Sequence, residues 1–189
     1  MPLLEGTLIT LKDGITKKVE DLKIDDELIS YTIDGLKDIK NTDNLQRQEL
    51  LTFNGSLQES KIKNIWLDLS SELCKINNLS VDKSHYLFIQ RNGKYYWSEA
   101  RYCLENDELF KIDNTWEKID TIEEIEGKMN VYNIRMNNYY NYFANDYLVH
   151  NGGTPCNGTN KGLPLCGSNC GASAGSEEEE EEEGEGEGF

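Results

Sequence analysis

Three places in the sequence hold residue types that do chemistry. His150-Asn151-Gly152 sets an amide side chain beside an unhindered glycine. An Asn-Gly pair deamidates through a succinimide when the glycine nitrogen attacks the asparagine side chain, which alters the chain without breaking it. Cys156 and Cys166-x-x-x-Cys170, with His150 nearby, reach the ligand count of tetrahedral zinc. They lack the closely paired spacing of such sites, so no metal is expected. Tyr95-Tyr96-Trp97 offers faces on which bases stack, but no basic patch accompanies it and strand packing is the better reading. Cys74 and Cys103 read as small core residues.

Charge narrows the partners. Nineteen basic against 35 acidic residues give −16 over 189 residues. Phosphate contacts need a basic footprint, so nucleic acid is excluded as a partner. Residues 152–189 hold nine glutamates and one lysine, a net of −8, and residues 1–151 carry the other −8. The boundary falls at Asn151-Gly152. Residues 152–176 form a linker rich in Gly, Ser and Cys, and 177–189 an acidic tail opening on seven successive glutamates. With almost nothing apolar to bury, that tail is expected to be disordered. No apolar run approaches the ~18 residues of a membrane span. The start, Met1-Pro2-Leu3-Leu4-Glu5-Gly6, has no charged leader. The five cysteines are an odd set that does not read as a disulfide framework. A reducing, cytoplasmic location is therefore expected.

The body that must position any site reads as strands. Thr7-Leu8-Ile9-Thr10-Leu11 stops at Asp13-Gly14, and Glu27-Leu28-Ile29-Ser30-Tyr31 near Asp34-Gly35. Ile65, Leu67 and Leu69 alternate in the next run. His85-Tyr86-Leu87-Phe88-Ile89, then Asn92-Gly93, then Tyr95-Tyr96-Trp97 is a strong hairpin pattern. Residues 108–112, 130–136 and 140–149 make further runs. Only 98–104 and 19–22 suggest a turn or two of helix, and 34–60 is a polar excursion too short for an inserted enzyme domain. Short strands at this spacing predict an all-β fold.

Both ends of this body resemble one family. Pro2-Leu3-Leu4-Glu5-Gly6-Thr7-Leu8-Ile9, Val19-Glu20-Asp21-Leu22-Lys23 and Asp26-Glu27-Leu28-Ile29-Ser30 are similar to the opening of Hint domains, the fold shared by inteins and hedgehog autoprocessing domains. Val131-Tyr132-Asn133-Ile134 and Tyr142-Phe143-Ala144-Asn145, closing on Leu148-Val149-His150-Asn151, resemble their last block. Ser84-His85, residues 95–104 and Asn106-Asp107-Glu108-Leu109 resemble the histidine block and the segment after it. The resemblance spans residues 2–151 and implies a horseshoe of β-strands whose two ends meet, with peptide-bond chemistry and no cofactor.

The resemblance also implies roles. The first residue of the family is a Cys or Ser that attacks the preceding carbonyl. Here it is Pro2, a natural loss or an engineered replacement, and proline has no nucleophilic side chain. The histidine that polarises the N-terminal bond maps to His85, with Asp82 where Thr is usual; a core histidine is the plainer reading of that residue. At the other end, Asn151 would cyclise onto its own carbonyl and break the Asn151–Gly152 bond, with His150 assisting the leaving amine. Gly152 cannot accept an acyl group, so ligation is excluded. The assisting Asp and His map to Asn133 and Tyr140, a neutral hydrogen-bonding group and a phenol too weakly basic to replace an imidazole.

These residues support two expectations. One is a self-processing domain that acts once, on its own flanking segments, by C-terminal cleavage alone. The other is a catalytically silent interaction module whose acidic tail binds a basic protein partner.

Overall fold

The Asn92-Gly93 pair turns as its composition requires. Both residues take positive φ, 53° and 74°, closing a two-residue hairpin whose twist matches its strands. The computed structural model of the chain describes residues 2–36, 45, 48–150 and the backbone of 159–160. These form β1 Leu3–Leu4, β2 Leu8–Thr10, β3 Thr16–Lys18, β4 Glu27–Ile33 and the long β5 Gly55–Ser70. Next come β6 Leu73–Ile76, β7 Leu79–Asp82, β8 Tyr86–Arg91, β9 Lys94–Glu99, β10 Glu108–Phe110 and β11 Trp116–Lys118. The last are β12 Ile122–Ile125, β13 Met129–Met136, β14 Asn141–Ala144, β15 Tyr147–His150 and the two-residue β16 Thr159–Asn160. Among the described residues there is no α-helix, and no helix long and apolar enough to cross a membrane.

The strands make two antiparallel sheets. One runs β12-β6-β7-β1-β13-β5-β16, with β4 on β5; the other runs β11-β10-β8-β15-β14-β2-β3, with β9 on β8. The two ends of the body are woven into the interior of both. β1 lies between β7 and β13, through Leu3↔Val81 and Leu3↔Tyr132. β15 lies between β8 and β14, and β14 meets β2 at Ala144↔Ile9. An aliphatic core with Leu3, Ile9, Leu28, Val81 and Val149 fills one region. An aromatic one fills the other, with Phe53–Phe110 ring centroids 4.7 Å apart and Phe110–Trp116 5.0 Å. Tyr95 and Trp97 belong to the aromatic core, as strand packing predicts. Cys74 and Cys103 are buried, and burial pushes their thiols up, to about 11 and about 12.

A repeated device sits where each sheet turns. Val19–Asp21 and Ala100–Tyr102 are short 3-10 turns, each followed by a left-handed residue (Asp25, φ 70°; Asn106, φ 76°) and an aspartate. Asp26 accepts the Lys23 N–H at 2.8 Å and Asp107 the Leu104 N–H at 2.8 Å. A cation secures each carboxylate, Lys17 at 2.7 Å and Arg91 in a two-pronged pair at 2.6 Å. The pair Asp26-Glu27-Leu28 and Asp107-Glu108-Leu109 is the sequence trace of this device.

The structure corrects the sequence reading in detail. The helical stretch at 98–104 shrinks to three residues, because Ser98 and Glu99 extend β9. The 34–60 excursion ends at Gly55, where β5 begins pairing with β4. Leu69 is exposed while Ile65 and its neighbour Trp66 are both buried. A bulge opposite Arg135 and Met136 breaks the alternation of β5. The sequence reading leaves out β6 and β7, a hairpin whose apolar Leu73, Ile76, Leu79 and Val81 flank the two-residue turn Asn77-Asn78.

Asp25 occupies a conformation that glycine adopts without a Cβ clash. Asp25→Gly is expected to stabilise the fold by about 0.5–1 kcal/mol, read as a raised urea midpoint at unchanged slope.

Candidate self-processing site

β1 carries Pro2 into the sheet interior. The Pro2 carbonyl accepts the Asp82 N–H at 3.0 Å. The register Leu3↔Tyr132, continued by one residue, sets Pro2 level with Asn133, which is buried within β13. One loop then leads to the histidine: the Asp82 carbonyl accepts the His85 N–H at 2.8 Å, and the His85 carbonyl accepts the Ala100 N–H at 2.8 Å. His85 is completely buried.

Asp82 is not a free carboxylate. Its Oδ2 accepts the Ser70 hydroxyl at 2.6 Å, and its Oδ1 accepts the Ser84 hydroxyl at 2.6 Å and the Ser84 N–H at 2.9 Å. Burial opposes its ionisation, but these donors outweigh burial and hold the carboxyl below its ordinary value.

The other end of the body arrives on β15. His150 is buried at the end of that strand. The register Leu87↔Val149 puts Tyr86 opposite His150, with His85 one step further along. The Trp97 ring meets the His150 ring edge-on, centroids 5.1 Å apart at 76°, and the half-buried Tyr140 ring lies 6.5 Å away. Pro2, Asn133 and His85 are thus tied together through β1, β7 and β13, while His150 and Tyr140 face each other at the end of the β14–β15 hairpin. Asn151 and Gly152, the expected junction, lie outside the described residues, as do the tail, the three clustered cysteines and the linker apart from the backbone of 159–160. Among the described residues no group of three or more His, Cys, Asp or Glu has the arrangement of a metal site.

Three positioning residues escaped the sequence reading. Asn141 pairs with His150 in register. Its buried amide accepts the Tyr31 N–H at 2.7 Å and donates to the Tyr31 carbonyl at 2.9 Å, clamping β14 to β4. Its own carbonyl accepts the Ser30 hydroxyl at 2.8 Å. An amide inside the apolar run 140–149 was the available signal. Asn145 closes the hairpin in a left-handed turn and joins the two chain ends. Its Oδ1 accepts the Leu8 N–H at 2.9 Å and its Nδ2 donates to the Asn78 carbonyl at 2.7 Å. Ser60 donates to the Asn138 carbonyl and accepts the Asn138 N–H at 3.1 Å, fixing the segment that leads into Tyr140.

Asn141→Ala leaves a buried N–H and a buried carbonyl of Tyr31 without their partners. A loss of about 2–4 kcal/mol is expected, measured by denaturant unfolding.

No family model and no curated protein sequence matches the chain. Solved structures do. A bacterial intein-like domain from Clostridium thermocellum superposes with a TM-score of 0.58 at 19% identity, over 79% of this chain and 98% of that one. The DnaB intein from Synechocystis gives 0.55 at 18% identity, over 80% and 98%. The TvoVMA intein gives 0.62 at 17% identity, again over 80% and 98%. The chain has the intein (Hint) fold. At these identities the likeness is one of backbone.

Proposed function

We propose that the chain cleaves its own backbone once, at Asn151–Gly152, by asparagine cyclisation. The Asn151 side-chain nitrogen attacks the Asn151 carbonyl carbon, and the bond to the Gly152 nitrogen breaks. A C-terminal succinimide forms on residues 1–151. The proton lost by the attacking amide is made good on the departing Gly152 amine, with His150 as the relay. Asn133 and Tyr140 offer weaker help by hydrogen bonding. No N-terminal acyl shift accompanies this, because Pro2 has no nucleophile, and no ligation occurs, because Gly152 has none.

What carries this reading is the burial of His150 beside Trp97 and Tyr140, one register step from His85. The reaction need happen only once per molecule. A half-life near a day at 25 °C corresponds to a barrier of about 24–25 kcal/mol. The test is intact mass after incubation at several pH values, with a fragment beginning at Gly152 as the expected product.

One observation favours the silent interaction module instead. Asp82, which stands where the family has Thr, is spent on Ser70 and Ser84. On that reading the chain stays whole, and the acidic tail binds a basic protein with an affinity that falls as salt rises.

A further inference from the structure

One edge of β5 is shared end to end by two segments. β13 covers the opposite edge from Ile62 to Ser70. On the free side β4 pairs with Gly55 to Lys61. The ladder is extended one step by Asp26 and Asp25, through Ile62 N–H to the Asp26 carbonyl at 2.9 Å and Asp25 N–H to the Ile62 carbonyl at 3.0 Å. There the left-handed Asp25 turns the chain away and the edge is vacated. Beyond the gap the edge is taken up again by β16, through Thr159↔Leu67 and Asn160↔Trp66. Among the described residues no strand pairs with this edge at 63–65.

β16 runs antiparallel to β5, so its C-terminal direction points into that gap. The gap opens on a groove of about 460 Å³ lined by Glu20, Asp21, Leu22, Lys23, Ile24 and Ile65. Its apolar part includes Ile24, 44% exposed, and its charged part is Glu20, Asp21 and Lys23, with one more acidic group than basic. The register set by Thr159 and Asn160, carried on along the sequence, would bring Lys161-Gly162-Leu163 level with residues 65–63. A cation, a residue with no side chain and an apolar residue are what such a groove accepts.

We propose that this stretch of β5 is a peptide-docking edge that binds the segment beyond the junction, residues 159–163, by strand addition. Recognition is through the main chain, as in other strand additions, with the groove selecting for a basic and an apolar side chain. The docked segment covers an edge that would otherwise stand open to another chain. It also keeps the C-terminal segment on the body whether or not the bond at Asn151 is broken.

The test uses the full-length chain with Asn151→Ala, so that cleavage plays no part. Amide hydrogen exchange is read at residues 64–68 of β5, with β8 as the internal reference. Asn160→Pro removes a main-chain donor and the strand geometry, and is expected to speed exchange at 64–68 about tenfold or more while β8 is unchanged. Asn160→Val keeps the main chain and is expected to leave protection intact. Unchanged exchange in Asn160→Pro, or equal loss in Asn160→Val, overturns the proposal. In the cleavable chain, a Gly152 fragment that co-elutes with residues 1–151 on size exclusion supports docking. A fragment that separates from them refutes retention while leaving the cleavage reading standing.

Discussion

Full-length chain incubated at neutral pH will yield two masses, one ending in a succinimide at Asn151 and one of 38 residues beginning at Gly152. Asn151→Ala will abolish both. The reason is stoichiometric, since no other side-chain amide adjoins that bond. His150→Ala will slow release about 100-fold, the lower range for removing a positioned acid–base group. The histidine is buried against Trp97. Tyr140→His restores the residue type usual at that position and is expected to accelerate release. Ordinary deamidation at Asn-Gly would instead change the mass slightly and leave the chain in one piece, so one spectrum separates the two chemistries. Full-length mass persisting for days across the pH range, with the fold intact, sinks the cleavage reading and leaves the interaction module.

The fold was legible because its punctuation is local. Asn92-Gly93 and Asp13-Gly14 can do little but turn, and the runs at 27–31, 85–89 and 130–136 carry β-branched and aromatic residues that belong on a pleated surface. The strands the sequence reading passes over, β6 and β7, are four residues each and carry Lys75, Ser80 and Asp82. They pair with each other across the two-residue turn Asn77-Asn78, a local cause, and with β1 and β12, a long-range one that no window of sequence contains. The candidate site rests, in the sequence, only on the resemblance at both ends. Composition points to Asn151 as a deamidation hazard and to His85 as a core histidine. That His85 lies one register step from His150 depends on β8 and β15 pairing across more than sixty residues of chain. Asn141, Asn145 and Ser60 were invisible for a related reason. Their work is to satisfy main-chain groups of distant strands, and an amide or hydroxyl carries no mark of which backbone it will meet.

Pro2→Cys, in a chain carrying an upstream fusion partner, should convert an inert N-terminal end into one that releases the partner when a thiol is added. The introduced thiol attacks the carbonyl before it, the C–N bond breaks as the C–S bond forms, the thiol's proton passes to the main-chain nitrogen of residue 2, and the external thiol takes the acyl group from the thioester, returning the cysteine thiol. Cysteine is the nucleophile that needs least activation. The backbone is already fixed for it, because the residue-2 carbonyl is held by the Asp82 N–H and β1 is locked between β7 and β13. Release should rise from nothing to most of the chain within a day, a barrier of about 24 kcal/mol. Adding His85→Ala should remove it if His85 polarises that bond, and leave it unchanged if the imidazole is only core packing. Asp82→Thr tests the remaining departure. It withdraws a carboxylate whose negative charge opposes thiolate formation and frees Ser70 and Ser84, so release should quicken. If Pro2→Cys folds, shown by unchanged near-ultraviolet circular dichroism, and yet no thiol-dependent release occurs, the N-terminal half of the site is a structural remnant and His85 belongs to the core.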